Sequence, residues 1–182
     1  MRAATIGAAF GLISAAALVS SAYGQREAQS PPPGCSAWNA NLPKEWQPWA
    51  DKPINVTAAA AVREIASAAV SVGQKVSLML QPAKTVRLEI ETPDIDPPPN
   101  AHGGILSLRV PKDGYYWIAV SNGLWIDVVM DGKIVDSADH GPGPHCASIG
   151  KSVQFPLKAG DVKIQISDNR GVHVDLLVTQ AP

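Results

Sequence analysis

The sequence predicts an all-β fold: a jelly-roll-like antiparallel β-sandwich with an irregular N-terminal arm. Three observations carry this expectation. From Val72 onward, apolar residues recur at every second position in short runs, the period of a strand with one buried face. Turn signals separate those runs at short, regular spacing. Helical and extended patterns do not alternate, which argues against a parallel α/β sheet.

Residues 1–24 read as an export signal. Arg2 supplies a positive start, an apolar run follows to Val19, and Ala22-Tyr23-Gly24 offers small residues where a signal peptidase cuts. Residues 25–53 read as a spacer and arm. The stretch 25–33 is polar and then proline-rich, the composition of a disordered linker. Beyond Cys35, Trp38, Trp46 and Trp49 lie among prolines, which exclude a long helix. Their indoles are expected to pack on the domain.

Residues 54–182 form the predicted sandwich. The alanine-rich stretch 58–70 has the propensity for a helical turn or two. Residues 75–80 alternate and stop at Pro82. Val86, Leu88 and Ile90 are spaced by two, with Arg87, Glu89 and Glu91 opposite, which predicts a half-wet strand. The proline- and glycine-rich stretch 94–104 is a loop. Strands over 105–110 and 115–120 flank the turn signal Pro111-Lys112-Asp113-Gly114. Residues 124–130 and 133–135 meet across Asp131-Gly132, a hairpin signature. After a loop over 136–150, strands over 152–157 and 162–167 surround the turn at 158–161. In the last strand Val172, Val174, Leu176 and Val178 share one face.

Charge excludes some functions. The chain carries a formal charge of −1, and one unit more negative without Arg2. Nothing there favours nucleic acid or an anionic membrane as partner. After signal removal no apolar run is long enough to span a membrane, so the expected location is periplasmic or secreted.

Two cysteines, Cys35 and Cys146, most simply make one disulfide in an oxidising compartment. Closing so long a loop is worth roughly 3 to 5 kcal/mol in the chain-entropy description. A lipid anchor on Cys35 is disfavoured, because Pro31-Pro32-Pro33-Gly34 lacks the aliphatic residue of a lipoprotein signal.

The most unusual stretch is Asp139-His140-Gly141-Pro142-Gly143-Pro144-His145-Cys146. Imidazole and thiolate suit iron, copper or zinc. His140 and His145, joined by His102 or His173, are the candidate metal ligands. The simpler reading is a loop pinned by the disulfide, with exposed histidines and no cofactor. Asp127, Asp131, Asp136 and Asp139 lack the dense oxygen-ligand spacing of a calcium loop. Asp127 either faces inward beside Trp125 or alternates outward, and the outward reading is the expected one. Five tryptophans offer packing mass or stacking faces for sugars, and Trp125 and Trp49 are the candidates for the second role. Ser148 and Lys151 lie nearby without a nucleophile-elbow or serine–lysine motif, and Lys151 reads as a solvated strand-start charge.

Two resemblances arise at these residues. Val110-Pro111-Lys112-Asp113-Gly114-Tyr115-Tyr116, Trp125-Ile126-Asp127-Val128, Asp131-Gly132-Lys133-Ile134-Val135 and Leu157-Lys158-Ala159-Gly160 are similar to the C-terminal half of PA14-like jelly-roll modules, over about a third of the chain. That resemblance implies carbohydrate binding or cell-surface contact. Trp125-Ile126-Asp127-Val128, His140-Gly141-x-Gly143-Pro144-x-Cys146 and Ile149-Gly150-Lys151-Ser152-Val153-x-Phe155 look like a group of small exported alphaproteobacterial proteins often called homogentisate 1,2-dioxygenase. That name implies a metal-dependent ring-opening oxygenase.

The leading expectation is an exported, non-catalytic binding or envelope-associated accessory domain for an envelope or glycan ligand. Its contact surface is Trp125, Asp127, His140 and His145 with Trp49. The alternative is a metal-dependent enzyme built on His140 and His145.

Overall fold

The structure, a computed structural model, describes residues 30–91, 98 and 100–182. The expected export signal, most of the spacer and part of the 94–104 loop lie outside the described residues.

Among the described residues twelve strands follow one another: β1 Ile54–Thr57, β2 Ala69–Val70, β3 Val76–Met79, β4 Gln81–Pro82, β5 His102–Val110, β6 Gly114–Val120, β7 Trp125–Met130, β8 Lys133–Ile134, β9 Asp139–Gly141, β10 Lys151–Leu157, β11 Gly160–Asn169 and β12 His173–Gln180. They form two stacked sheets. One has the order β1-β3-β12-β6-β10-β9 and the other β2-β5-β11-β7-β8, with β4 against β5.

The order is that of a jelly roll. Number β3, β5, β6, β7, β8, β10, β11 and β12 from one to eight. The first sheet then runs one-eight-three-six and the second two-seven-four-five, the double Greek key of that architecture. All pairs among these eight strands are antiparallel. β1 and β2 add parallel pairs at one edge of each sheet.

Period-two alternation builds the core. Leu78, Ile118, Phe155 and Leu176 of the first sheet meet Leu106, Val128, Ile164 and Ile166 of the second in one buried cluster. At roughly 1.5–3 kcal/mol per large apolar side chain, this layer is the main source of stability. Asp131 and Gly132 both have positive φ, 52° and 70°, so the β7–β8 connection is a two-residue turn whose twist suits a hairpin. The turns at 111–113 and 158–159 instead arch between the two sheets. Asp113 Oδ1 joins them by accepting from the Ala159 amide at 2.8 Å.

The arm covers the outer face of the first sheet. A 3-10 helix, Lys44–Ala50, buries Trp46 and Trp49, which pack with Leu42 on Ala119 and Leu177. The Thr179 hydroxyl donates to the Glu45 carbonyl at 2.7 Å, and the Cys35–Cys146 disulfide fastens the arm to the loop before β10.

Three local expectations are corrected. Residues 86–91 keep alternating burial but form no strand. The buried Gln165 amide stands in for a neighbouring strand, accepting from the Glu89 and Ile90 amides at 2.7 and 3.2 Å and donating to the Ile90 carbonyl at 2.9 Å. The 136–150 loop contains β9, which pairs with β10. Val172 precedes β12 and is exposed. The alanine-rich stretch forms a 3-10 helix, Val62–Ser67, and then runs into β2.

Candidate functional site

The two sheets part at the edge where β8 ends one and β9 ends the other. The chain crosses between them there. The Val135 amide still donates to the Val128 carbonyl of β7, and the Ala138 amide already donates to the Gln154 carbonyl of β10, each at 2.8 Å. A cleft of about 370 Å³ opens at this corner, with Trp125, Asp127, His140 and Lys151 on its walls and Val153 and Phe155 below.

Strand parity places each wall residue. Trp125 and Asp127 are two apart on β7, so they share the face opposite the core residues Ile126 and Val128. Asp127 lies opposite Gln165 in register. His140 lies opposite Val153, and residues directly opposite in an antiparallel pair share a face. His140 therefore stands on the core side of β9, at the mouth, and is exposed. Lys151 has the parity of Val153, Phe155 and Leu157, so it points between the sheets.

Trp125 is 44% exposed, yet its indole is fixed. Nε1 donates to Asp127 Oδ1 at 3.0 Å. The Lys151 ammonium lies 5.3 Å from the ring centroid, within reach of a cation–π attraction, and donates to the Leu124 carbonyl at 2.9 Å. Burial lowers the Lys151 pKa from the ordinary lysine value, and the Asp127 carboxylate partly opposes that shift.

Asp127 alternates to the face away from the core but is buried there, 8% exposed. The expectation for Lys151 is corrected. Lys151 is not a solvated strand-start charge. Its parity turns it inward, and the period-two series Lys151, Val153, Phe155, Leu157 was the signal that could have revealed this.

The remaining candidates fall elsewhere. Trp49 is fully buried, with Nε1 donating to the Ser148 hydroxyl at 3.0 Å, so it offers no stacking face. His145 lies in a separate groove beside the disulfide. His102 opens β5 opposite Asn169, in the other sheet, and its buried Nδ1 has no hydrogen-bond partner among the described residues. His173 opens β12 opposite Met79. In register His140 is level with Val153, Ile118 and Val178, so strand spacing and rise put it roughly 20 Å from His173.

The four histidines therefore do not assemble a metal centre. Among the described residues, one group of three metal-capable side chains exists: Cys35, His145 and Cys146. Its two sulfurs are bonded to each other, so neither is a thiolate ligand. Among the described residues, therefore, no group fits the iron, copper or zinc site that the histidine loop suggested.

No family model and no curated protein matches this sequence. Among solved structures, the pre-peptidase C-terminal domain of a collagenase from Bacillus anthracis aligns over 71% of this chain and 99% of its own, at 13% identity and a TM-score of 0.36. At that score the alignment adds nothing to the topology described above.

Proposed function

We propose that this protein is an exported binding module that holds a carbohydrate-type ligand of the cell envelope in the edge cleft. The carrying observation is the state of Trp125: a large apolar ring, 44% exposed, with its polar edge fixed by Asp127. A rigid aromatic face loses little entropy when a sugar ring stacks on it. Lys151 and His140 bring nitrogen donors to the same opening, and Asp136 brings carboxylate acceptors.

The export reading of residues 1–24 supports a periplasmic or secreted location. The disulfide supports an oxidising compartment. Among the described residues no helix is long and apolar enough to cross a membrane. The resemblance to PA14-like modules agrees with a glycan partner.

The test is co-sedimentation of the purified chain with peptidoglycan sacculi and titration with soluble oligosaccharides released from them. Binding is expected, and Trp125→Ala should weaken it by about tenfold, or 1.4 kcal/mol. Absence of binding to both preparations, or full binding by Trp125→Ala, would contradict the assignment.

A further inference from the structure

The second groove, of about 480 Å³, has the Cys35–Cys146 disulfide in its lining. Neither cysteine is fully buried. His145 stands beside them, with Nε2 3.4 Å from Cys35 Sγ. Cys146 has φ +70°, a left-handed conformation that residues with a side chain seldom adopt. Such conformations cluster at functional sites.

The geometry points to a thiol–disulfide exchange site at Cys35–Cys146, with His145 holding the departing Cys35 thiolate. The co-reactant is a dithiol. One of its thiolates attacks Cys146 Sγ, the Cys35–Cys146 bond breaks, and Cys35 leaves with the electron pair. His145, with Nε2 at hydrogen-bond distance, donates to that thiolate or gives it a proton. The dithiol's second sulfur then attacks the sulfur bonded to Cys146 and expels the Cys146 thiolate. Two electrons have passed to the protein, and the co-reactant is now a disulfide. The direction of attack follows from the histidine, because the sulfur with the more stable thiolate is the better leaving group.

The surrounding structure allows the cycle to reverse. Trp46, Trp49 and Leu42 keep the arm on the sheet through their own apolar cluster. The Asn39 amide donates to the Cys146 carbonyl at 2.7 Å, and Asn39 Oδ1 accepts from the Ser148 amide and hydroxyl at 2.8 and 3.1 Å. None of these contacts needs the sulfur bond, so the two thiols stay close after reduction.

The test uses the oxidised purified chain and dithiothreitol, with release of thiols followed by alkylation and rates expressed per dithiothreitol thiolate. The wild type should be reduced about tenfold faster than His145→Ala, and His145→Lys, which puts another nitrogen donor beside Cys35, should keep most of that advantage. With glutathione as a monothiol, peptide mapping should place the first adduct on Cys146. Equal rates for wild type and His145→Ala, or a first adduct on Cys35, would overturn the proposal.

Discussion

The indole nitrogen of Trp125 donates to Oδ1 of Asp127 at 3.0 Å, two positions along the same strand. The strand period makes this contact local, since i and i+2 share a face. It turns an exposed ring into a fixed one. Asp127→Ala removes the acceptor from a largely buried position, and the expected cost is about 1 to 2 kcal/mol of stability. Urea denaturation checks the size. Time-resolved fluorescence anisotropy should show a freer Trp125 ring in the variant, with Trp46 and Trp49 unaffected.

Lys151 should titrate below the ordinary lysine midpoint of about 10.4, because burial disfavours its charged form. Asp127 acts in the opposite sense, so Asp127→Asn should push the midpoint lower still. The unfolded chain then binds more protons than the folded one between the two midpoints, and stability rises with pH across that window. Lys151→Met should lack this slope. Side-chain NMR titration of Lys151 reads the midpoint. A value at or above the ordinary one, or a rise in Asp127→Asn, would refute the assigned cause.

Trp49 seals the arm and is not a ligand platform. Its complete burial and its bond to Ser148 make Trp49→Ala a cavity-forming change. The expected loss is about 3 to 5 kcal/mol, measured by urea denaturation.

Gln165→Leu should free residues 86–91 while keeping the size of the side chain. It removes two acceptor contacts and one donor contact to Glu89 and Ile90. A loss of about 1 to 3 kcal/mol is expected, and hydrogen exchange should quicken selectively at the Glu89 and Ile90 amides. Unchanged protection there would mean that the Lys163–Glu89 ion pair at 2.8 Å is enough to hold the segment.

The strands were legible where a local rule sufficed. Asp131-Gly132 marked its hairpin because these residues readily take the positive φ values of a twist-matched two-residue turn, and alternation marked β3, β5, β6, β7, β10, β11 and β12. Residues 86–90 misled because alternation reports a half-buried face, not a hydrogen-bonded neighbour, and the neighbour here is the Gln165 side chain. The edge cleft was legible in part. Trp125, Asp127 and His140 were identifiable as residues, but their meeting with Lys151 depends on its side chain reaching from β10 to the Leu124 carbonyl and the Trp125 ring at the start of β7. Histidine spacing in the 139–146 stretch could not show that His140 and His145 line different clefts, since the chain turns between them. Burial of Trp49 likewise depends on a sheet face whose outward residues, Ala119 and Leu177, are apolar.

The most direct measurement is the set of tryptophan indole nitrogen–proton resonances during titration with soluble peptidoglycan oligosaccharides. The Trp125 signal should shift progressively with ligand while those of the buried Trp46 and Trp49 stay in place, and Asp127→Ala should weaken the response. An unmoved Trp125 signal at saturating oligosaccharide, or shifts confined to other tryptophans, would contradict the cleft as the binding site.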